Sequence, residues 1–132
     1  MISEILLVED DDNDAELTLR ALREGNLVDV IRRVRDGLEA LEYVFRQGTF
    51  EHRTGGLPTL ILLDLRMPRV DGIEMLQTLR SDKLTESIPV IVLTSSTDEM
   101  HRADANRLDV SYVLKPLSHA AFAQVVARMG LD

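Results

Sequence analysis

Apolar residues gather in five short runs separated by polar stretches: residues 5–8, Val28–Val34, and residues 60–63, 90–93 and 112–114. Their length and their Val and Ile content predict strands. Four runs are almost purely apolar, the pattern of strands covered on both faces of a parallel sheet. The run Val28–Val34 is interrupted by Arg32 and Arg33, which predicts an edge strand. Between and after the runs, apolar residues recur at helical spacing. Leu17, Ala21 and Leu22 form one stripe, and Leu38, Leu41 and Phe45 a second. Ile73, Leu76 and Leu79 form a third, and Phe122, Val126 and Met129 a last. The segment 98–108 is polar almost all round and predicts a short, exposed helix.

Punctuation agrees with these elements. Gly25, Gly48 and Gly130 stand where helices should stop, and Asp36, Asp71 and Ser118 where N-caps should stand. The order βαβαβαβαβα, with right-handed crossovers, makes an α/β fold: an open parallel sheet with five helices spread over both faces. The connection 48–58 exceeds the usual ~2–6 residues between helix and strand and looks like an insertion.

The residues that follow the apolar runs carry the chemistry. Glu9-Asp10 follows the first run, Asp64 the third, Thr94-Ser95-Ser96 the fourth and Lys115-Pro116 the fifth. In an open parallel sheet these carboxyl ends lie side by side, and the crevice where strand order reverses is where such folds bind ligands. Three carboxylates, a hydroxyl and an ammonium would meet there. Three carboxylates so close repel one another unless a cation sits among them. Oxygen donors without His or Cys favour Mg²⁺ or Mn²⁺. A lysine and a hydroxyl beside them could stabilise a phosphoryl group, and a carboxylate can be the nucleophile that receives it.

Composition narrows the class. With 132 residues and 45% apolar content the chain is the size of one domain, expected to be a single unit over residues 1–132. A net charge of −8 without a clustered basic surface argues against nucleic acid as a partner. No cysteine is present, which excludes disulfides and thiolate metal sites. The N-terminal apolar run falls far short of the ~18 residues of a membrane span, so a soluble, cytoplasmic protein is expected.

Taken together, Val8-Glu9-Asp10, the stretch Leu63-Asp64-Leu65-Arg66-Met67-Pro68-Arg69-Val70-Asp71-Gly72, then Leu93-Thr94-Ser95 and Tyr112-Val113-Leu114-Lys115-Pro116 resemble the two-component response-regulator receiver signature, over essentially the whole chain. The resemblance implies a flavodoxin-like, CheY-like fold with strand order 2-1-3-4-5. It also implies a phosphoacceptor signalling protein that catalyses its own phosphotransfer and dephosphorylation, without being an enzyme in the ordinary sense. Asp64 matches the phosphoacceptor. Asp10 matches a direct metal ligand, and Glu9, in place of the more common aspartate, a ligand through a metal-bound water. Asp64 and the backbone carbonyl of Arg66 complete the implied set. Lys115 would pair with a phosphoryl oxygen, and its bond to Pro116 is expected to be cis. Thr94 would hydrogen-bond the phosphoryl group, and Tyr112 matches the switch aromatic whose ring turns inward as Thr94 moves. In that family the positions matching Arg66 and Ser96 border the path of the attacking water, which implies that these two residues tune the phosphoryl lifetime.

Other readings of the same residues are weaker. Asp10, Asp12 and Asp14 imitate the start of a calcium-binding EF-hand loop, but Ala15 and Ala21 stand where Gly and Glu are needed. Asp11, Asp12 and Asp14 read more simply as acidic residues at the start of the first helix. No P-loop exists, since Gly55-Gly56 runs into Leu57-Pro58. An aspartyl-nucleophile phosphatase is the alternative enzyme, yet Arg66 stands where it wants a second acid, and Asp71 reads as an N-cap. A decayed interaction module would have lost Asp64, Thr94 or Lys115, and all are present. His52, His101 and His119 read as scattered surface residues.

The chain ends just after the last predicted helix, so no output domain is expected and the protein should act through partners. The Glu9-Asp10 pair and the long 48–58 connection resemble the small receivers that partner bacterial phytochrome-type histidine kinases. Leu117, Ala121 and Val125 fall off or beside the last helix's core stripe. They suggest a homodimer face built with the segment 98–108, Tyr112 and residues 118–129.

Overall fold

A computed structural model describes residues 1–65, 70–95 and 108–131. Five strands, β1 (Ile2–Val8), β2 (Val28–Val34), β3 (Leu60–Asp64), β4 (Val90–Thr94) and β5 (Ser111–Leu114), form one sheet in the order β2-β1-β3-β4-β5. Every neighbouring pair is parallel. The described helices are α1 (Asp12–Arg23), α2 (Gly37–Phe45), α3 (Gly72–Ser81) and α4 (His119–Met129). The doubly wound fold is therefore the expected one. The fifth expected helix, over 98–108, lies outside the described residues except for Leu108, which is buried.

Alternation along the central strands produces two cores. Leu6, Val8, Ile61, Leu63, Val90 and Val92 face one side, where α2 and α3 pack. Ile5, Leu7, Leu60, Leu62, Ile91 and Leu93 face the other, under α1 and α4. Each fully buried side chain of this kind contributes about 1.5–3 kcal/mol, which is why a strand apolar at every position belongs in the middle of the sheet. Strand β2 lies at the edge, and its middle residues reach solvent as the two arginines led us to expect.

Helix starts follow side-chain chemistry. Asp11, Asp36, Asp71 and Ser118 each accept a hydrogen bond from the backbone N–H three residues on. Glycine matters most at two places. Gly130 closes α4 at φ 74°, in the left-handed region. Gly72 lets α3 begin hard against the chain leaving β3, since a Cβ there would lie 2.7 Å from Leu65 Cα. Gly48, expected to stop the second helix, instead opens a 3-10 turn, and the left-handed residue ending α2 is Arg46.

Three helix stripes need correction. In α1 the inward face is Ala15, Thr18, Ala21 and Leu22, while Leu17 is 51% exposed. In α2 it is Gly37, Ala40, Tyr43 and Val44, and Leu38 is exposed. Small residues on these faces let the helices approach the sheet closely, turning the larger leucines outward. In α4 the stripe is Phe122, Val125 and Val126, with Met129 only half-buried. Leu117 and Val125, expected on a dimer face, are instead buried in the domain's own core, and Ala121 packs against it, so these three offer no surplus apolar surface. His119, read as a surface residue, is half-buried and packs on Gly25.

The insertion 48–58 is tied down. The Arg53 guanidinium lies 4.1 Å above the Tyr43 ring and donates to Tyr43 O at 2.9 Å and Gly56 O at 3.1 Å. Phe50 meets the same ring edge-on, and the Tyr43 hydroxyl donates to Glu4 on β1.

Candidate functional site

The site grows from the ends of four strands. Register places the end of β1 beside those of β2 and β3, and the end of β3 beside that of β4. Glu9 leaves β1 buried, at 1% exposure, while Asp10 is exposed. Asp64 ends β3 at 8% exposure, and Thr94 ends β4 fully buried. Lys115 follows β5, its N–H donating to Thr94 O at 3.0 Å. The bond from Lys115 to Pro116 is cis.

Side chains then converge. Lys115 Nζ donates to Glu9 Oε1 at 2.9 Å, to Asp64 Oδ2 at 3.0 Å and to Asp14 Oδ2 at 3.1 Å. Glu9, Asp10 and Asp64 each offer a carboxylate oxygen, and these lie within 4.8 Å of one another. One ammonium therefore serves three carboxylates, with that of Asp10 close to two of them. Burial is the main influence pushing the Glu9 carboxyl up, to about 7; its hydrogen bond from Lys115 opposes this and the Asp64 charge adds to it. Burial pulls the Lys115 ammonium down, but its hydrogen bonds to Glu9 and Asp64 outweigh that and hold it above its ordinary value. The lysine stays charged, and the pocket keeps an acidic excess that a cation would relieve. An all-oxygen donor set of this kind, with a buried carboxyl strained by its neighbours, fits a hard divalent ion.

Two participants went unread in the sequence. By sequence Asp14 reads as an acid at a helix start, yet its carboxylate accepts from Lys115 across the site; the clue is that the first turn of α1 opens directly out of the Glu9-Asp10 pair. By sequence Arg33 reads only as a mark of an edge strand. Its guanidinium donates twice to Glu9 O, at 3.0 and 2.9 Å, and once to Asp12 at 2.8 Å, fixing the turn that carries Glu9 and Asp10. That hydrogen bond from Arg33, with Arg35 nearby, holds the Asp12 carboxyl below its usual range. No sequence signal could have found this, since Arg33 approaches from another strand.

The remaining expected residues fall as follows. Tyr112 is half-buried on β5 and packs against the core under α2 and α3. Arg66, with its expected carbonyl ligand, and Ser96 lie outside the described residues. Beside the site opens a cavity of about 290 Å³ whose lining includes Asp14, exposed Leu17, Ser95, Lys115 and Pro116. No helix among the described residues is long and apolar enough to cross a membrane.

Comparison with known proteins agrees with this geometry. The chain is 43% identical over 118 residues to a probable methanogenesis regulatory protein, FilR2, of Methanothrix harundinacea, covering 86% of this chain and 72% of that one. It is 39% identical over 95 residues to the response regulator Rcp1 of Synechocystis, covering 72% of this chain and 63% of Rcp1. Among solved structures, the bacteriophytochrome response regulator RtBRR superposes with a TM-score of 0.92 at 45% identity, over 100% of this chain and 80% of that one. A Mn²⁺-bound response regulator Rcp1 superposes with a TM-score of 0.78 at 33% identity, over 98% and 94%. Residues 5–127 match the response regulator receiver domain, and with the strand order, the acidic cluster and the lysine all in place, the chain belongs to that family.

Proposed function

We propose that this domain receives a phosphoryl group on Asp64 from a phosphohistidine of a sensor histidine kinase, with Mg²⁺ or Mn²⁺ held in the acidic pocket. The observation that carries the reading is the placement of Asp64 at the end of β3, 3.0 Å from Lys115 Nζ and clustered with Glu9 and Asp10. A carboxylate oxygen of Asp64 attacks phosphorus as the P–N bond breaks, and the imidazole leaves with that electron pair. Lys115 is placed to pair with a phosphoryl oxygen, and Thr94, at the neighbouring strand end, to donate its hydroxyl to another. Glu9, Asp10, Asp64 and the Arg66 carbonyl would hold the cation, whose charge offsets that of the carboxylates and the incoming phosphoryl group. The Mn²⁺ in the Rcp1 structure supports this choice of ion.

The phosphoryl group would bias a two-state element made of Thr94 and Tyr112, changing the surface around β5. Domain-wide, residues 1–132 would work as one receiver unit passing its state to a partner. Likeness to RtBRR supports a phytochrome-type kinase upstream. Arg66 and Ser96 remain our candidates for setting the phosphoryl lifetime. The test is incubation with acetyl phosphate, with and without Mg²⁺, followed by intact mass. One added phosphoryl group that needs Mg²⁺ and disappears in Asp64→Asn is expected. Labelling that persists without Asp64, or steady hydrolysis of unrelated phosphomonoesters, would overturn the reading.

A further inference from the structure

An ammonium has three N–H groups. At Lys115 all three are engaged, by Glu9 Oε1, Asp64 Oδ2 and Asp14 Oδ2 at 2.9, 3.0 and 3.1 Å. A fourth acceptor can be served only if one of these lets go. The three are not equivalent. The side chains of Glu9 and Asp64 are 1% and 11% exposed, so until the phosphoryl group is bonded to Asp64, losing the lysine would leave a carboxylate stranded out of water. The Asp14 side chain is 45% exposed and can take water in exchange. Glu9 and Asp64 also belong to the acidic cluster with Asp10, whereas Asp14 stands outside it. Its place is set locally: the Asp14 N–H donates to the Asp11 cap at 2.8 Å, which fixes the first turn of α1 opposite Lys115.

Building on the phosphoacceptor reading above, we propose that Asp14 is a positioning residue that holds Lys115 toward α1 in the resting domain and is the acceptor a phosphoryl oxygen displaces when Asp64 is phosphorylated. The incoming group then competes with an existing ion pair, which weakens phosphorylation. Released, the Asp14 carboxylate turns to solvent at the wall of the cavity it shares with Leu17 and Pro116. The phosphoryl state is thereby written on the surface of α1 as well as around β5.

The test compares the parent with Asp14→Asn in two measurements, Mg²⁺-dependent binding of beryllium fluoride by calorimetry and exchange of the lysine ammonium protons by ¹⁵N NMR without phosphate mimic. Lys83 and Lys115 are the chain's two lysines, so the Lys115 signal is simply assigned. Asp14→Asn should bind beryllium fluoride roughly three- to fivefold more tightly, the scale of a partly exposed ion pair. Its Lys115 ammonium should exchange faster in the resting state. Unchanged or weaker binding would overturn the proposal. Tighter binding with unchanged ammonium exchange would also overturn it, because charge alone would then explain the gain. A parent that binds no beryllium fluoride would overturn the phosphoacceptor reading, and this one with it. Asp14→Ser, equally uncharged, should give the same two shifts and serves if the Asn variant does not fold.

Discussion

The two edges of the sheet each gather polar groups around one half-buried cation, and they do so in opposite ways. At the amino edge, Arg80 from α3 donates to four backbone carbonyls, those of Leu108, Glu86, Ile88 and Asp109, at 2.9, 3.0, 2.9 and 3.2 Å. At the carboxyl edge, Lys115 meets three carboxylates. Burial draws the Arg80 guanidinium below its ordinary value, while the Asp109 charge supports it. Neutral carbonyls satisfy its fork of donors and ask for nothing more, so the result is a clasp joining α3 to the chain ahead of β4 and β5. The carboxylates around Lys115 are over-supplied with negative charge, so that edge keeps an acidic excess that a cation would relieve. The difference separates an edge built for stability from one built for chemistry.

The largest effect should come from the chemical edge. Asp64→Asn should abolish Mg²⁺-dependent labelling by acetyl phosphate, read by intact mass, while urea unfolding shows a domain no less stable than the parent, since one of the crowded charges is gone. Arg80→Ala should do the reverse. Leaving several carbonyls without their donor should cost about 2–4 kcal/mol in urea unfolding, with labelling of the folded fraction unchanged. An Arg80→Ala variant that folds normally yet labels poorly would break the separation of the two edges.

Glu9→Gln should sharpen it further. Mg²⁺ affinity measured by calorimetry should fall about tenfold, the scale of losing one ligand or its support, while metal-free stability at pH 8 holds or rises because a buried, crowded charge is removed. Smallest is a pH effect near the amino edge. Burial first, and then the hydrogen bond to Glu4 with its charge, push the Tyr43 hydroxyl up to about 12 from its ordinary 10.0. The folded domain keeps a proton there that the unfolded chain loses, so this contribution is intact below pH 10 and disappears as pH rises toward 12. Tyr43→Phe should lower stability by about 1–2 kcal/mol below pH 10, where the hydroxyl still donates to Glu4, and flatten the fall in stability across that window, both read by urea unfolding against pH.

The fold and the core of the site were legible because they depend on local patterns. Apolar runs of strand length, each ending in a polar residue, suffice to line up Glu9, Asp10, Asp64, Thr94 and Lys115, since parallel strands must present their carboxyl ends together. Capping chemistry was equally local, and Asp36, Asp71 and Ser118 act as the sequence suggests. Helix faces were less legible. In α1 the choice lay between a stripe through Leu17 and one through Ala15 and Thr18, a rotation of little more than one residue, and close packing of small side chains decided it. The same competition put Val125, expected on the outer side of α4, inside.

By itself, then, the sequence determined the order of elements, the parallel sheet and the strand ends where chemistry could occur, because hydrophobic period and chain direction act residue by residue. Only the tertiary structure decided which long side chains would cross between elements: Asp14 to Lys115, Arg33 to the Glu9 carbonyl, Arg80 to the chain ahead of β4 and β5. These partners lie far apart along the chain. Their meeting depends on helix rotation and side-chain reach, set when burial and hydrogen bonding are satisfied together across the whole domain.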